Sequence, residues 1–185
     1  MRIELYEVAA QEDARFLAGW QLAGDATLYR ALRRDVDFRF VAVGGVPSGG
    51  ESPSHAGLYE VVHEDGTPEG AGGVVLINPF AVPDGEDDAF LAAWDSAREA
   101  LAGRRGYLGT RLHRSVGPAD FRFVDVARWS SPLMFAQATD RPEFRAAAAE
   151  MPFASHPALY TIVTPDVRRP GRLSAPRGSG GRASR

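Results

Sequence analysis

Asp37-Phe38-Arg39-Phe40-Val41-Ala42-Val43 returns later in the chain as Asp120-Phe121-Arg122-Phe123-Val124-Asp125-Val126. This repetition decides the fold, because the matches on either side of it keep the same order. Phe16-Leu17-Ala18-Gly19-Trp20 precedes the first stretch and Phe90-Leu91-Ala92-Ala93-Trp94 the second. Leu28-Tyr29-Arg30 is echoed by Leu112-His113-Arg114. His55-Ala56-Gly57-Leu58-Tyr59-Glu60-Val61-Val62 corresponds to His156-Pro157-Ala158-Leu159-Tyr160-Thr161-Ile162-Val163. Four collinear matches mean one unit present twice.

The second copy reads as β-α-β-β-α-β. Val74 to Val82 reads as a strand, and Pro83-Asp84-Gly85 opens a helix whose acidic first turn favours the macrodipole. Phe90, Leu91, Trp94, Ala97 and Leu101 fall on one face of that helix, which stops near Gly103. Strands at 108–116 and 121–129 meet through Gly117-Pro118. Ser131-Pro132 starts a second helical region, broken near Pro142 and ending at Glu150, before a last strand over 159–163. The first copy has the Gly/Ser/Pro-rich stretch 44–54 where most of that second helical region would be.

The expected organisation is a degenerate repeat over 1–64, a linker over 65–72, a complete repeat over 73–165 and a basic tail over 166–185. A unit of this kind is covered by helices on one sheet face and bare on the other. The expected fold class is therefore α+β, two ferredoxin-like repeats fused into an intrachain dimeric α+β barrel with a cavity of small-molecule scale between the sheets. A chain-to-chain homodimer through the thinly covered outer face of the first copy is a further expectation.

Composition narrows the function. With 185 residues, 44% hydrophobic and 24% charged, the chain has the make-up of a globular protein. It contains no cysteine, which excludes disulfides, thiolate catalysis and Cys-ligated metal or iron–sulfur sites. The absence of a long apolar run argues against a membrane span, and a cytoplasmic location is expected. Net charge is −3, and the tail alone carries six arginines against one aspartate. The body is thus acidic, which argues against nucleic acid as a partner, and the Pro/Gly/Ser/Arg tail reads as disordered.

Gly106-Tyr107-Leu108-Gly109-Thr110, the stretch Phe121 through Trp129, and Ser155-His156-Pro157-Ala158-Leu159-Tyr160 resemble the antibiotic biosynthesis monooxygenase family of dimeric α+β barrels. That family includes cofactor-independent anthrone oxygenases of aromatic polyketide pathways and haem-degrading enzymes. The resemblance implies Trp129 as a cavity Trp ending the third strand, with Asp125 where the anthrone oxygenases have Asn. It also implies a role for His113 on the second strand, and it sets Phe135 at a Tyr position. The haem-degrading branch uses an Asn on the first strand and a Trp on the third, which Asn78 and Trp129 match. Its axial His would fall at Ala148.

Period-two reading places Phe121, Phe123, Asp125 and Trp129 on one sheet face. With the hairpin centred at Pro118-Ala119, positions summing to about 237 oppose each other, which sets His113 beside Asp125. A carboxylate there would fix the imidazole tautomer and support it as a general base. Duller readings stand beside this one: Trp20 and Trp94 as core, His55 and His156 as loop hydrogen-bonders, His63 as solvent-facing, and His113 as an ordinary strand histidine. The first copy has Glu4, Tyr29, Ala42 and Val46 where the second has Asn78, His113, Asp125 and Trp129. Only the second copy is therefore expected to carry a site.

The expected function is a cofactor-independent monooxygenase oxidising an aromatic polyketide, anthrone to quinone, with O₂ and the polyketide as its partners and no cofactor or metal. His113, Asp125, Asn78 and Trp129 are the expected catalytic residues, and Phe80, Phe123, Phe135 and Tyr107 the expected substrate contacts. The alternative is a non-oxidative polyketide cyclase or binding protein, which needs the same aromatic pocket and polar group.

Overall fold

A computed structural model describes residues 1–20, 26–45, 51–67 and 73–163. The expected tail, Val46 and most of the expected linker lie outside them. The first repeat contains β1 (Arg2–Tyr6), α1 (Asp13–Gly19), β2 (Thr27–Ala31), β3 (Phe40–Gly44) and β4 (His55–Gly66). The second contains β5 (Val74–Ala81), α2 (Asp87–Leu101), β6 (Tyr107–Ser115), β7 (Phe123–Trp129), α3 (Pro132–Thr139) and α4 (Pro142–Ala149). Its last strand is interrupted at His156-Pro157, leaving β8 (Ala154–Ser155) and β9 (Ala158–Ile162), both on one side of β5. Among the described residues, no helix is long and apolar enough to cross a membrane.

Within each repeat the strands lie side by side in the order last, first, third, second: β4-β1-β3-β2 and β9-β5-β7-β6. The repeats then exchange edges. β4 pairs with β1 and continues onto β6, while β9 pairs with β5 and reaches β2. This closes the antiparallel sheets into one eight-stranded barrel within the chain, and closure removes the exposed edges that would otherwise recruit another strand.

The repeated Asp-Phe-Arg-Phe-Val motif explains why both copies fold alike, since each residue does the same thing twice. Asp37 accepts from His156 at 2.6 Å, and Asp120 from His55 at 2.7 Å, each bond running between repeats. Phe38 and Phe121 meet edge-to-face at 5.5 Å at one end of the barrel. Arg39 clamps Asp13 at the start of α1, as Arg122 clamps Asp87 at the start of α2, through paired N–H donors. Phe40 stacks on Phe16 at 4.3 Å, and Phe123 on Phe90 at 4.2 Å. Val41 and Val124 point into the barrel.

The barrel interior is solid. Ile3, Leu5, Val41, Ile77 and Val124 pack there with Tyr59 and Tyr160, as expected where an eight-stranded barrel is only just wide enough for side chains to fill it. The cavity described below does not lie between the sheets, where one was expected. The open space lies on the opposite face of the second repeat, under its helices. The boundary of the first repeat also moves, because β4 runs on to Gly66 rather than ending at 64.

A bulge in β4 has consequences for that space. Val61 faces His113, but His63 faces Leu112, so one extra residue separates the two pairings. The slip turns His63 and Asp65 toward the helix-covered side of the second repeat. At the end of this ladder Gly66 faces Gly109. Both have positive φ, and a side chain on either would run into the opposing backbone.

Candidate active site

A cavity of about 320 Å³ lies between the outer face of the second repeat's sheet and helices α2, α3 and α4. Three strands supply its floor. Asn78 of β5 sits directly across from Asp125 of β7, and Thr110 comes from β6. The helices supply the roof, chiefly Trp94 and Arg98 of α2, Phe135 of α3 and Phe144 of α4. Ser131 caps α3 by accepting from the Met134 N–H at 3.3 Å, and Pro132 follows it at the first helical position. This fixes Phe135 over the cavity.

Asp125 is the central polar group. Burial pushes its carboxyl up to about 7, against the Thr110 hydroxyl and the Trp94 indole N–H, which both donate to it and favour the anion. The negative charge of Asp65 adds to the upward shift. No cation pairs with Asp125 among the described residues. Beside it, the Oδ1 of Asn78 is buried without a hydrogen-bond partner. An unpartnered acceptor next to a carboxylate that titrates near neutrality, in an otherwise apolar cavity, is the arrangement of a ligand site that handles protons.

The sequence-predicted residues divide. Asn78, Asp125, Phe80, Phe135 and Tyr107 all line the cavity. Trp129 is fully buried behind that wall, edge-to-face with Tyr107 at 5.3 Å and Phe135 at 5.4 Å. Phe123 backs Phe90 and Phe80 in the adjoining cluster. His113 does not join them. It pairs with Val124, while Leu112 pairs with Asp125; both pairs sum to 237, so the hairpin centre holds and the expected pairing of His113 with Asp125, which sums to 238, is one residue out. In a strand of period two this sends the imidazole to the other face.

His113 is buried on the barrel side, its Nδ1 3.1 Å from the Val124 carbonyl. Burial holds its pKa down to about 4. Phe121 likewise belongs to the barrel core rather than to the Asp125 face, because β7 becomes regular only from Phe123.

Several site residues escaped the sequence reading. Thr110 was legible only as part of a strand, although its two-residue spacing from Leu112, the partner of Asp125, could have placed it on the cavity face. Trp94 reads correctly as core but also serves the carboxylate. His63, expected in solvent, lies edge-to-face on Trp94 at 5.1 Å. Asp65, expected in the linker, accepts from the Tyr107 hydroxyl at 2.6 Å, from Arg98 Nη1 at 3.0 Å and from the Thr110 N–H at 3.3 Å. Burial opposes ionisation of Asp65, but these three donors hold its carboxyl below the ordinary value.

Residues 73–150 match the family model described as antibiotic biosynthesis monooxygenase. A candidate monooxygenase from Shewanella loihica PV-4 is 36% identical over 51% of this chain and 99% of its own, with a TM-score of 0.45. The chain belongs to the antibiotic biosynthesis monooxygenase family.

Matches that span both repeats are more distant. An anthrone oxidase-like protein superposes with a TM-score of 0.58 over 88% of this chain and 90% of its own, at 12% identity. A ferredoxin-fold protein related to antibiotic biosynthesis monooxygenases, from Listeria monocytogenes 4b F2365, gives 0.53 over 88% and 94% at 17% identity. Among curated proteins none matches the sequence.

The haem-degrading branch of the family raises the question of haem, and the donor set does not fit it. Ala148 lines the cavity where an axial imidazole would be needed. His113 is turned into the barrel. His55 and His156 are engaged by Asp120 and Asp37 at the barrel end.

Proposed function

We propose that the second repeat is a cofactor-independent monooxygenase that oxidises an aromatic polyketide of the anthrone type to its quinone, with Asp125 as the general base. The observation that carries this reading is the Asn78–Asp125 pair, held side by side across two strands in an apolar cavity. The anthrone class follows from the resemblance at Trp129, Phe135 and the Asp125 position. It suits a cavity with aromatic walls at Phe80, Phe135 and Tyr107.

The Asp125 carboxylate takes a proton from the benzylic CH₂ of the substrate, leaving a carbanion delocalised onto the ring carbonyl as an enolate. A raised carboxylate pKa makes Asp125 a stronger base than an exposed aspartate while leaving it substantially ionised at neutral pH. In this reading the Nδ2 N–H of Asn78 donates to the enolate oxygen, and its Oδ1 is left to accept a substrate hydroxyl. The carbanion gives one electron to O₂, and the resulting radical pair combines to a peroxide, which takes up a proton. The C–H and O–O bonds of this hydroperoxide then break to release water and leave the ketone. The sum is CH₂ + O₂ → C=O + H₂O, with the substrate itself as reductant.

Oxygen uptake on adding an anthrone to the purified protein tests the reading. Uptake with one O₂ consumed per quinone formed, lost in Asp125→Asn, is the expected result. Binding with no uptake above the spontaneous rate, across several anthrones, would leave a non-oxidative cyclase or binding protein instead.

A further inference from the structure

We infer that Asp65, a residue of the first repeat, sets the ligand class of the second repeat's cavity: by holding Arg98 it makes the cavity select uncharged, hydroxyl-bearing aromatic molecules and reject carboxylated ones. This rests on the aromatic reading of the cavity above, and it concerns binding rather than oxidation.

Arg98 is the one cationic side chain on the cavity wall among the described residues. Left free, a guanidinium in that position would be a ready docking point for a ligand carboxylate. It is not free. Nη1 donates to Asp65 at 3.0 Å, Nε donates to Asp95 at 2.8 Å, and Nη2 lies 2.7 Å from Asp95 and 3.9 Å from Glu99. Asp95 and Glu99 belong to the same helix as Arg98 and lie on its more exposed side. Asp65 approaches from β4, and it reaches Arg98 because the bulge at Val61–His63 turns it to this face.

The remaining polar groups of the wall point the same way. Asp125 has no cationic partner, so a ligand carboxylate entering the cavity would meet an uncompensated negative group in a poorly solvated space. Like-charge placement of this kind works against the wrong ligand without helping the right one. A neutral ligand with a hydroxyl meets the opposite situation. The unpartnered Asn78 Oδ1 accepts its O–H, and nothing in the cavity demands a negative charge. The first repeat thereby acts as a specificity element for the second. Asp65 also holds the Tyr107 hydroxyl, so its loss loosens the wall and unmasks Arg98 together.

The test is anaerobic titration of the full chain with 1,8-dihydroxyanthraquinone and with anthraquinone-2-carboxylate, followed by quenching of the Trp94 and Trp129 fluorescence. The wild-type protein is expected to prefer the dihydroxy compound by about tenfold or more. Asp65→Asn is expected to bring the two affinities within about threefold by strengthening the carboxylate, and Arg98→Gln added to it is expected to abolish that gain. Arg98→Gln alone, which leaves Asp65 without its counter-charge, is expected to widen the wild-type preference. It serves as the readout if Asp65→Asn does not fold. Equal wild-type affinities, or a ratio unmoved in both single variants, would overturn the inference, and so would binding of neither compound. Oxygen uptake with a neutral anthrone reports separately on the oxygenase reading, so a protein that turns over anthrone but binds both quinones alike would lose only the selectivity.

Discussion

Tyr59 in the last strand of the first repeat donates its hydroxyl to the carbonyl of Phe121 in the second, at 2.9 Å. The reverse contact exists too, Tyr160 to the Phe38 carbonyl at 2.9 Å. Both hydroxyls are buried in the barrel, and each ties a β4 or β9 strand to the motif that starts the third strand of the other repeat. Tyr59→Phe and Tyr160→Phe are each expected to cost about 1–2 kcal/mol, the loss of one bond plus a carbonyl left without it. Because the two bonds lie in equivalent places of one cooperative core, the double variant should lose about the sum in urea denaturation. A single variant with unchanged midpoint and slope would show that the exchange bonds add nothing to the barrel.

Asp125→Asn should uncouple two properties that the wild-type residue combines. Loss of a general base lowers turnover by ~10²–10⁴-fold. Stability should move the other way with pH. The carboxyl rises from 3.8 to about 7 on folding, so between those values the folded protein binds the proton that the unfolded chain has released. Stability therefore falls as pH rises through that window, by an amount on the order of 4 kcal/mol once both states are ionised. Asparagine does not titrate. The variant's advantage over wild type in urea melts should be larger at pH 8 than at pH 5, and an equal difference at both would argue that Asp125 is not buried as an acid.

His113→Leu should leave oxygen uptake within about twofold of wild type, since the imidazole faces the barrel and not the cavity. Its pKa is held down to about 4 from 6.5. The unfolded chain takes up a proton there as pH falls below 6.5, while the folded one resists it until about 4. Wild-type stability attributable to this group is complete above 6.5 and lost on acidification, by roughly 3 kcal/mol. The variant should be the less acid-sensitive of the two between pH 6.5 and 4. A hundredfold fall in turnover with the fold intact would return His113 to the mechanism.

How far the site could be read in the sequence turned on one residue of register. The duplicated Asp-Phe-Arg-Phe-Val stretch and its flanking matches carry the barrel, because each position faces the same neighbour in both copies, down to Phe40 on Phe16 and Phe123 on Phe90. Asp125 was placed by the alternation along its strand, whereas Asn78 was reached through the family resemblance alone, since the run 74–82 has no regular alternation. The hairpin centred at Pro118-Ala119 sets His113 against Val124, and the one-residue slip to Asp125 carried the imidazole to the wrong face of the strand. Asp65 and His63 could not be found at all. Their orientation depends on a bulge, and a bulge has no mark in hydrophobic alternation when it falls in a run such as Val61-Val62-His63-Glu64.

Trp94→Phe offers a test of how the cavity tunes its base. The indole N–H donates to Asp125 and so favours the anion, while the ring also fills the core with Phe90 and Leu112. Phenylalanine keeps most of the apolar contact, so the substitution should cost far less stability than Trp94→Ala, for which about 3–5 kcal/mol is expected. What it removes is one of the two side-chain donors to the carboxylate. With burial unchanged and only the Thr110 hydroxyl and the Val126 backbone left to oppose it, the Asp125 pKa must move further up. The rising limb of the pH–rate profile should shift to higher pH by about one unit, lowering turnover at neutral pH and restoring it in alkali. Thr110→Val removes the other side-chain donor and should shift the limb the same way. A profile unchanged in both variants would mean that the group titrating in catalysis is not Asp125.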